Sequence, residues 1–239
     1  MAFQNIFKRY ETKYLLDHVQ KAAVLQAMAP HMIPDSYGKT TVRNLYYDTD
    51  DYRLIRHSLE HPVYKEKLRL RSYARVAPDA TVFVELKKKY DGVVYKRRIP
   101  LPARCACPWL AGVVSCPEPG QISREVDHCL RFYGSLAPRV FLSYEREAYY
   151  DKNNQDFRVT FDENILCRQD ALDLGAEIYG TAILPPGITL MEIKCAGGIP
   201  LWMTRTLTRQ KIYKTSFSKY GTAYRRLIFP KLQEVKTNV

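Results

Sequence analysis

Charged and apolar residues alternate in four stretches of the chain, at residues 9–13, 67–71, 85–87 and 192–194. Because every second side chain of a β-strand points to the same side, each stretch predicts a strand with one charged and one apolar face. A sheet face of this kind is either solvated or lines a cavity for a strongly anionic ligand. Carboxylates interleaved with the cations favour the cavity, since they could hold a divalent metal beside a phosphate chain.

Eight strands are predicted by this alternation and by the turn residues between them. They are expected at about 5–14, 40–47, 63–76, 80–88, 93–100, 140–150, 157–162 and 189–194. Asp91-Gly92 predicts a tight hairpin turn between the fourth and fifth strands. Helices are expected from an N-cap at Asp17 to near Pro30, at 52–58 as a helix or turn, and at 123–132, 200–211 and 216–227.

These elements predict the α+β class, with an antiparallel sheet that is closed or nearly closed and has helices at its flanks. We expect a single domain over residues 1–239, in which a proline- and cysteine-rich segment at about 102–134 forms a connecting lobe. The inward face of such a barrel would carry the charges, which requires a polar ligand or water inside.

The charge balance narrows the class of partner. The chain has 37 Lys and Arg against 25 Asp and Glu, a net charge of +12, which predicts nucleic acid, an anionic membrane surface or a phosphate-rich small molecule. Concentration of the cations in alternating strands favours a lined site over nucleic acid. The six cysteines lack zinc-site spacing, and neither a secretory signal nor an 18-residue apolar run is present, so a cytoplasmic location is expected.

Three glutamates each precede a lysine by two residues, namely Glu11, Glu85 and Glu192. In a strand, each pair shares a face, so the pattern fits either local ion pairs or ligands for Mg²⁺ or Mn²⁺. Three repeats favour the metal, and Asp162 is a further candidate unless it lies in a turn. The chain lacks the motifs of P-loop NTPases, dinucleotide-binding folds and GxSxG hydrolases.

An ordered set of motifs resembles a known family over residues 5–228, nearly the whole chain. The motifs are Arg9–Lys13, Leu45–Thr49, Lys67–Arg71, Val84–Lys87, Met191–Lys194 and Phe217–Tyr220. They are similar to the polyphosphate polymerase domain of the vacuolar transporter chaperone (VTC) complex, which belongs to the triphosphate tunnel metalloenzyme, or CYTH-like, superfamily.

The resemblance implies a closed eight-stranded antiparallel β-barrel, the triphosphate tunnel, in which the γ-phosphate of ATP is transferred to a growing polyphosphate chain with Mn²⁺ or Mg²⁺. By motif position it implies catalytic roles for Lys13, Arg69, Arg71, Lys87, Arg146, Arg158 and Lys219, and a metal role for Glu192. The charge pattern adds Glu11 and Glu85 as metal ligands, and Arg9, Lys67, Lys194, Ser216 and Ser218 as substrate-binding residues. Ser216 is expected to cap the helix that follows it, where free backbone N–H groups favour an anion.

Arg9 stands where the wider superfamily has the first glutamate of a Glu-x-Glu-x-Lys motif, which favours the polymerase over a two-metal triphosphatase. Two parts of the eukaryotic assembly, a phosphate-sensing domain and a transmembrane domain, are missing, which leaves room for a separate membrane protein as a partner beside ATP and polyphosphate. The alternatives are a triphosphatase of the same fold and a polyphosphate-binding module without turnover. Nucleic-acid binding ranks last, because it would require an exposed basic stripe.

Overall fold

The structure, a computed structural model, describes residues 10–91 and 93–237. Its strands are β1 (Tyr10–Leu16), β2 (Met32–Pro34), β3 (Thr40–Asp48), β4 (Tyr64–Ser72), β5 (Thr81–Tyr90), β6 (Val93–Pro102), β7 (Ala137–Asp151), β8 (Arg158–Arg168), β9 (Thr181–Ala182), β10 (Thr189–Cys195) and β11 (Lys214–Thr215). Its helices are α1 (His18–Met28), α2 (Arg53–Leu59), α3 (Ala103–Leu110), α4 (Gln121–Tyr133), α5 (Leu201–Arg209), α6 (Lys219–Ala223) and α7 (Phe229–Thr237), with a π-helical segment at Tyr224–Ile228.

The eight strands predicted from alternation are all present, as β1, β3 to β8 and β10. Three further strands, β2, β9 and β11, have only two or three residues each. An alternating pattern needs about four residues to be recognisable, so strands of this length give no sequence signal.

The sheet has 11 strands, and its order of hydrogen-bonded neighbours is β11-β1-β10-β8-β7-β3-β4-β5-β6, with β2 paired to β7 and β9 to β8. This order has two ends, so the prediction of a closed eight-stranded barrel is wrong, whereas the antiparallel α+β architecture is confirmed. Closure would require hydrogen bonds between the two terminal strands, β11 and β6, and these are not neighbours in the order formed by the described residues. The helices α3 and α4 contact β6.

The described chain divides into two compact units. Unit 1 comprises residues 1–41, 144–165 and 184–218, and unit 2 comprises residues 42–143, 166–183 and 219–239. The core of unit 1 contains apolar side chains of β1, β8 and β10 together with side chains of α1 and α5. The core of unit 2 contains side chains of β3 to β6 together with side chains of α3 and α4.

The segment predicted as a connecting lobe supplies part of the core of unit 2. It forms α3 and α4, and the predicted helix at 123–132 corresponds to α4. Trp109 and Val126 are almost fully buried in that core, and the Trp109 indole Nε1 donates to Asp127 Oδ1 at 2.7 Å. The longest helix, α4, has 13 residues, and no helix in the described ranges has the length and hydropathy of a bilayer-spanning segment.

Two residues were predicted to cap helices, and the structure confirms the cap at Asp17 but not the cap at Ser216. Asp17 is the N-cap of α1, where its side chain accepts from the Gln20 backbone N–H at 2.8 Å and the Gln20 side chain accepts from the Asp17 N–H at 3.1 Å. Ser216 does not cap the later helix, because α6 begins at Lys219 and β11 ends immediately before Ser216. The prediction that Ser216 caps this helix is therefore wrong, and its role in binding substrate stays a prediction.

Candidate functional site

The charged face of β4, β5 and β6 lies opposite the apolar face of the same strands, because alternate residues such as Leu68 and Leu86 are buried in the core of unit 2. The strand register places Arg69 directly opposite Glu85 and Glu85 directly opposite Arg98. Charged residues from three neighbouring strands therefore meet on one face of the sheet.

Glu85 lies at the centre of four cations, and only 1% of its surface is exposed. Its Oε2 accepts from Arg69 Nε at 2.8 Å and lies 3.8 Å from Arg71 Nη1. Its Oε1 accepts from Arg98 Nε at 2.7 Å and lies 2.8 Å from Lys96 Nζ. Burial would raise the pKa of Glu85, but the four cations outweigh it and hold that pKa well below its ordinary value.

We call the four cations around Glu85, which are Arg69, Arg71, Lys96 and Arg98, the arginine cluster. Four cations share one carboxylate, so the cluster carries an excess of three positive charges. Both carboxylate oxygens of Glu85 are directed at these cations. That arrangement anchors the cationic side chains, and the metal-ligand role of Glu85 stays a prediction.

Polar side chains of β3 orient the two arginines of β4. Arg69 Nη1 donates to the Tyr46 hydroxyl at 3.0 Å. Arg71 Nε donates to Asn44 Oδ1 at 2.9 Å, and Asn44 Nδ2 in turn donates to the backbone carbonyl of Leu142 at 2.9 Å. The Arg71 guanidinium is thus held by a buried chain of hydrogen bonds, which fixes the direction of its remaining N–H groups.

Tyr73 lies at the other side of the arginine cluster. Its hydroxyl accepts from Arg98 Nη2 at 2.7 Å, and the Arg98 guanidinium also stacks over the Phe83 ring, with its carbon 4.2 Å from the ring centroid. Burial would raise the pKa of Tyr73, but the charges of Arg71 and Arg98 outweigh it and lower this pKa to about 8. The positive potential of the cluster is therefore strong enough to acidify a neighbouring phenol.

Two distant motifs, in β3 and α6, meet beside the arginine cluster. The Tyr220 ring stacks against Tyr46, with 4.7 Å between the ring centroids, and the Tyr220 hydroxyl donates to Asp48 Oδ2 at 2.8 Å. Burial would raise the pKa of Tyr46, but cations lower it, with Arg69 first and Lys219 among them. Lys219 therefore lies near enough to act on the same group as the arginine cluster.

Asp48 is fully buried and also binds the N-terminus of α2. It accepts from the backbone N–H groups of Leu54 at 2.9 Å and Ile55 at 3.1 Å. Asp48 thus connects the N-terminus of α2 to Tyr220 of α6.

Replacing Tyr220 with phenylalanine is expected to lower the free energy of unfolding by about 1–2 kcal/mol, because a buried carboxylate loses a hydrogen bond. Urea denaturation measures the change. Tyr213→Phe is the control, since Tyr213 is exposed and has no such contact. Equal stability of the two variants would show that the bond between Tyr220 and Asp48 does not hold α6 in place.

A second charged group lies in unit 1, on β1, β7 and β10. The Glu192 side chain, 8% exposed, has Lys194 Nζ at 3.1 Å, Arg146 Nη2 at 3.5 Å and Lys13 Nζ at 3.9 Å. Lys13 Nζ also lies 3.3 Å from a Glu11 oxygen. We call these five residues the glutamate cluster. Lys13 Nζ donates in addition to the Phe217 backbone carbonyl at 2.9 Å, which attaches the chain segment before α6 to β1.

Arg146 is held in the glutamate cluster by Asp162. The guanidinium donates from Nε to Asp162 Oδ1 at 2.6 Å and from Nη2 to Oδ2 at 2.7 Å, and Asp162 is fully buried in β8. Asp162 therefore lies in a strand and orients a cation. Arg158 of the same strand lies opposite Lys194, and its Nη2 is 3.7 Å from Asp35 Oδ2.

The glutamate cluster fits one hard divalent cation only if substrate oxygens complete the coordination. Glu192 and Glu11 supply two carboxylates on either side of Lys13. Within residues 10–91 and 93–237, no group of three or more His, Cys, Asp or Glu side chains is arranged to hold a metal ion. One or two carboxylates together with phosphate oxygens is the arrangement that Mg²⁺ usually adopts in proteins that bind nucleotides.

The predicted site residues divide between the two units. Unit 2 contains Lys67, Arg69, Arg71, Glu85, Lys87 and Lys219, and unit 1 contains Glu11, Lys13, Arg146, Arg158, Glu192, Lys194, Ser216 and Ser218. Ser216 is exposed, whereas Ser218 is partly buried next to α6. Arg9 lies outside the described residues.

Two members of the arginine cluster, Lys96 and Arg98, and the neighbouring Tyr73 were not predicted as site residues. A signal for the first two exists in the sequence. The tight turn predicted from Asp91-Gly92 would fix the register of the two strands it joins, and in the observed register Arg98 lies opposite Glu85 and Lys96 lies opposite Lys87. Tyr73 continues the alternation of Arg69 and Arg71 within the strand predicted at 63–76, although β4 itself ends at Ser72.

Comparison with known proteins places the fold and the family. Among solved structures, a candidate adenylate cyclase from Bacillus halodurans is similar over 90% of this chain and 96% of its own, with 17% identity and a TM-score of 0.54. A candidate adenylyl cyclase from Hippeastrum with a dominant triphosphatase activity matches 90% of this chain and 94% of its own, with 17% identity and a TM-score of 0.53. At this identity the likeness shows a shared fold.

No protein in the curated set matches the sequence. The family model of the VTC domain matches residues 8–228, which is most of the chain. The motifs quoted above, from β1 to α6, lie within the matched range. The chain therefore belongs to the VTC domain family.

Proposed function

We propose that this VTC domain transfers the γ-phosphate of ATP to a growing chain of inorganic polyphosphate. The observation that carries the proposal is the arginine cluster, where four cations share the single carboxylate of Glu85 on one face of a sheet. An excess of buried and half-buried positive charge is costly unless an anion of several charges binds there. A run of phosphates supplies such an anion.

The chemistry demands little of the protein beyond positioning and charge neutralisation. Asn44, Tyr46 and Tyr73 accept hydrogen bonds from Arg71, Arg69 and Arg98 and so fix the planes of the guanidinium groups that would contact phosphate oxygens. The acceptor, a terminal phosphate, is already anionic at neutral pH, so no strong base is needed. Within unit 1, a divalent metal on Glu192 and Glu11 would offset negative charge on phosphate oxygens when it is bound.

A second candidate function is hydrolysis of a triphosphate, with water as the acceptor. The observation that favours it is the similarity in fold to the Hippeastrum protein, which has a dominant triphosphatase activity. The two functions share the binding of a triphosphate and differ in what attacks the γ-phosphate. A domain that binds polyphosphate without turnover would have no need of the glutamate cluster as a metal site.

Acceptor dependence tests the proposal. The rate of ADP release from ATP is measured with Mg²⁺ or Mn²⁺, with and without a short polyphosphate of a few units. We expect the short chain to accelerate ADP release and to shorten any lag, because it supplies the attacking phosphate. Inhibition by the short chain at every concentration, as a competitor for the triphosphate site, would contradict the proposal and favour the triphosphatase.

A further inference from the structure

A cavity of about 440 Å³ lies within unit 2, on the side of β3, β4 and β5 that faces away from the arginine cluster. Leu70 lines it from β4, between Arg69 and Arg71, whose side chains point to the other face of the sheet. Further aliphatic side chains of the wall are Leu45, Val82, Leu110, Leu136 and Leu174. The cavity is therefore distinct from the charged face on which the arginine cluster lies.

The size of the cavity fits a small molecule. Side chains in a protein core pack closely, and gaps larger than a water molecule are few. This cavity lies within the range of about 300–1,000 Å³ that is typical of small-molecule sites, and it exceeds the about 150 Å³ of an apolar cavity that binds benzene. Its border includes Cys107, Ala111 and Asp173, which are exposed, so the cavity opens to solvent there.

Tyr47 contributes a hydroxyl group to this mostly aliphatic wall. The residue is only 4% exposed and lines the cavity, yet its hydroxyl forms no hydrogen bond with any residue in the ranges 10–91 and 93–237. Burial raises the pKa of Tyr47, and the proximity of Cys107 raises it further, so the hydroxyl is protonated at neutral pH. Because buried hydroxyl groups are nearly always hydrogen-bonded, this donor indicates a ligand that carries an acceptor.

The charges around the cavity narrow the class of ligand. Among the described residues, no cationic side chain lines the cavity, and Asp173 contributes a carboxylate at its exposed border. A ligand with a carboxylate or phosphate group would therefore lose its hydration without gaining a counter-charge. An aliphatic molecule with an uncharged carbonyl fits both the wall and the protonated hydroxyl.

We propose that this cavity binds an aliphatic chain with an uncharged carbonyl group, whose oxygen accepts a hydrogen bond from the Tyr47 hydroxyl. The chain would pack against the leucine and valine side chains of the wall, which removes apolar surface of both from water. The ester of a free small molecule and the ester of a membrane lipid share this chemistry. The proposal does not depend on which phosphate acceptor the arginine cluster serves.

The test measures the binding of methyl hexanoate, with hexanoate as the charged ligand that has the same acyl chain. Calorimetry gives the affinities of the wild type, Tyr47→Phe and Tyr14→Phe. Tyr14 is the matched control, because it is also a strand tyrosine with little exposure, at 6%, but belongs to β1 of unit 1 and does not line the cavity. Both variants lose one buried hydroxyl group.

We expect Tyr47→Phe to bind methyl hexanoate about fivefold more weakly than the wild type, because one neutral hydrogen bond is lost. Tyr14→Phe should match the wild type, and hexanoate should bind the wild type at least about tenfold more weakly than the ester. Without ligand, Tyr47→Phe should be as stable as the wild type in urea denaturation, since the lost hydroxyl has no partner among the described residues.

The reactivity of two thiols locates the bound ester. Cys107 lines the cavity, whereas Cys116 does not, and neither is fully buried. Methyl hexanoate should slow the reaction of N-ethylmaleimide with Cys107, as measured by mass spectrometry, and leave the reaction with Cys116 unchanged. Phosphatidylcholine vesicles form the second arm of the experiment. Protection of Cys107 by vesicles would identify a membrane lipid as the source, and protection by the ester alone would identify a free molecule.

Three results would overturn the proposal. The first is no binding of methyl hexanoate to the wild type, or equal affinity of the wild type and Tyr47→Phe for it. The second is an unchanged reaction rate of Cys107 in the presence of the ester. The third is a loss of stability of Tyr47→Phe without ligand, which would show that the hydroxyl has a structural role instead.

Discussion

Replacing Glu192 with glutamine is expected to reduce ATP turnover by about a hundredfold or more while the protein still folds. The glutamine has nearly the same size but carries no charge. Lys13, Arg146 and Lys194 would then lose a shared counter-charge, and the candidate metal site would retain only Glu11. Steady-state turnover at limiting and saturating Mg²⁺ or Mn²⁺ measures the effect, and activation should require a higher metal concentration.

Glu163→Gln is the matched control for this experiment. Glu163 is also a partly buried glutamate of unit 1, and its Oε1 accepts from Lys21 Nζ at 2.7 Å and from Thr189 Oγ1 at 2.8 Å. It belongs to neither cluster, so its replacement should affect stability more than turnover. Wild-type turnover of Glu192→Gln at limiting metal would remove Glu192 from the mechanism.

Replacing Glu85 with glutamine is expected to lower the free energy of unfolding by about 3–5 kcal/mol, because the arginine cluster loses a buried counter-charge that all four of its cations contact. Urea denaturation at neutral pH measures this change. Glu125→Gln is the control, since Glu125 pairs with Lys88 and Arg97 but is more exposed. A loss below about 1 kcal/mol would show that Glu85 does not anchor the cluster.

The pH dependence of stability has a defined sign at Glu85. The pKa of Glu85 in the folded protein is held well below its ordinary value of 4.5. The ionised carboxylate therefore stabilises the folded state fully above pH 4.5, and this stabilisation is lost as the pH falls through the folded pKa. The wild type should therefore lose more stability on acidification than Glu85→Gln. Saturating tripolyphosphate should raise the melting temperature of Glu85→Gln more than that of the wild type, because the bound anion replaces the missing charge.

The long strands were predictable because each has at least seven residues, as β1 and β10 do, and charged and apolar residues alternate in part of each of these two strands. The open order of the sheet was not predictable from the sequence. Alternation indicates which face of a strand a residue occupies, but it does not indicate which strands are neighbours in the sheet. The short strands β2 and β11 were missed for lack of length. The segment that forms α3 and α4 was predicted to be a connecting lobe because of its proline and cysteine content. This composition does not indicate that Trp109 is buried in the core of unit 2.

For the site, the cations on alternating positions were predictable, and their partners were less so. Glu85 was predicted as a metal ligand from its spacing to Lys87, a pattern that cannot distinguish it from Glu192. The difference arises from the neighbouring strand, since β6 directs Lys96 and Arg98 at Glu85. Contacts between side chains of neighbouring strands depend on the strand register. A single sequence predicts that register only where a tight turn joins the two strands.

Analysis of the phosphate products formed from ATP tests the central claim most directly. The protein is incubated with ATP, short polyphosphate and Mg²⁺ or Mn²⁺, and the products are resolved by ³¹P NMR and by gel electrophoresis. The account predicts a polymer longer than the added chain, with internal phosphate signals that grow as ADP appears. Orthophosphate as the only phosphate product, at every metal and primer concentration tried, would contradict it and establish the triphosphatase instead.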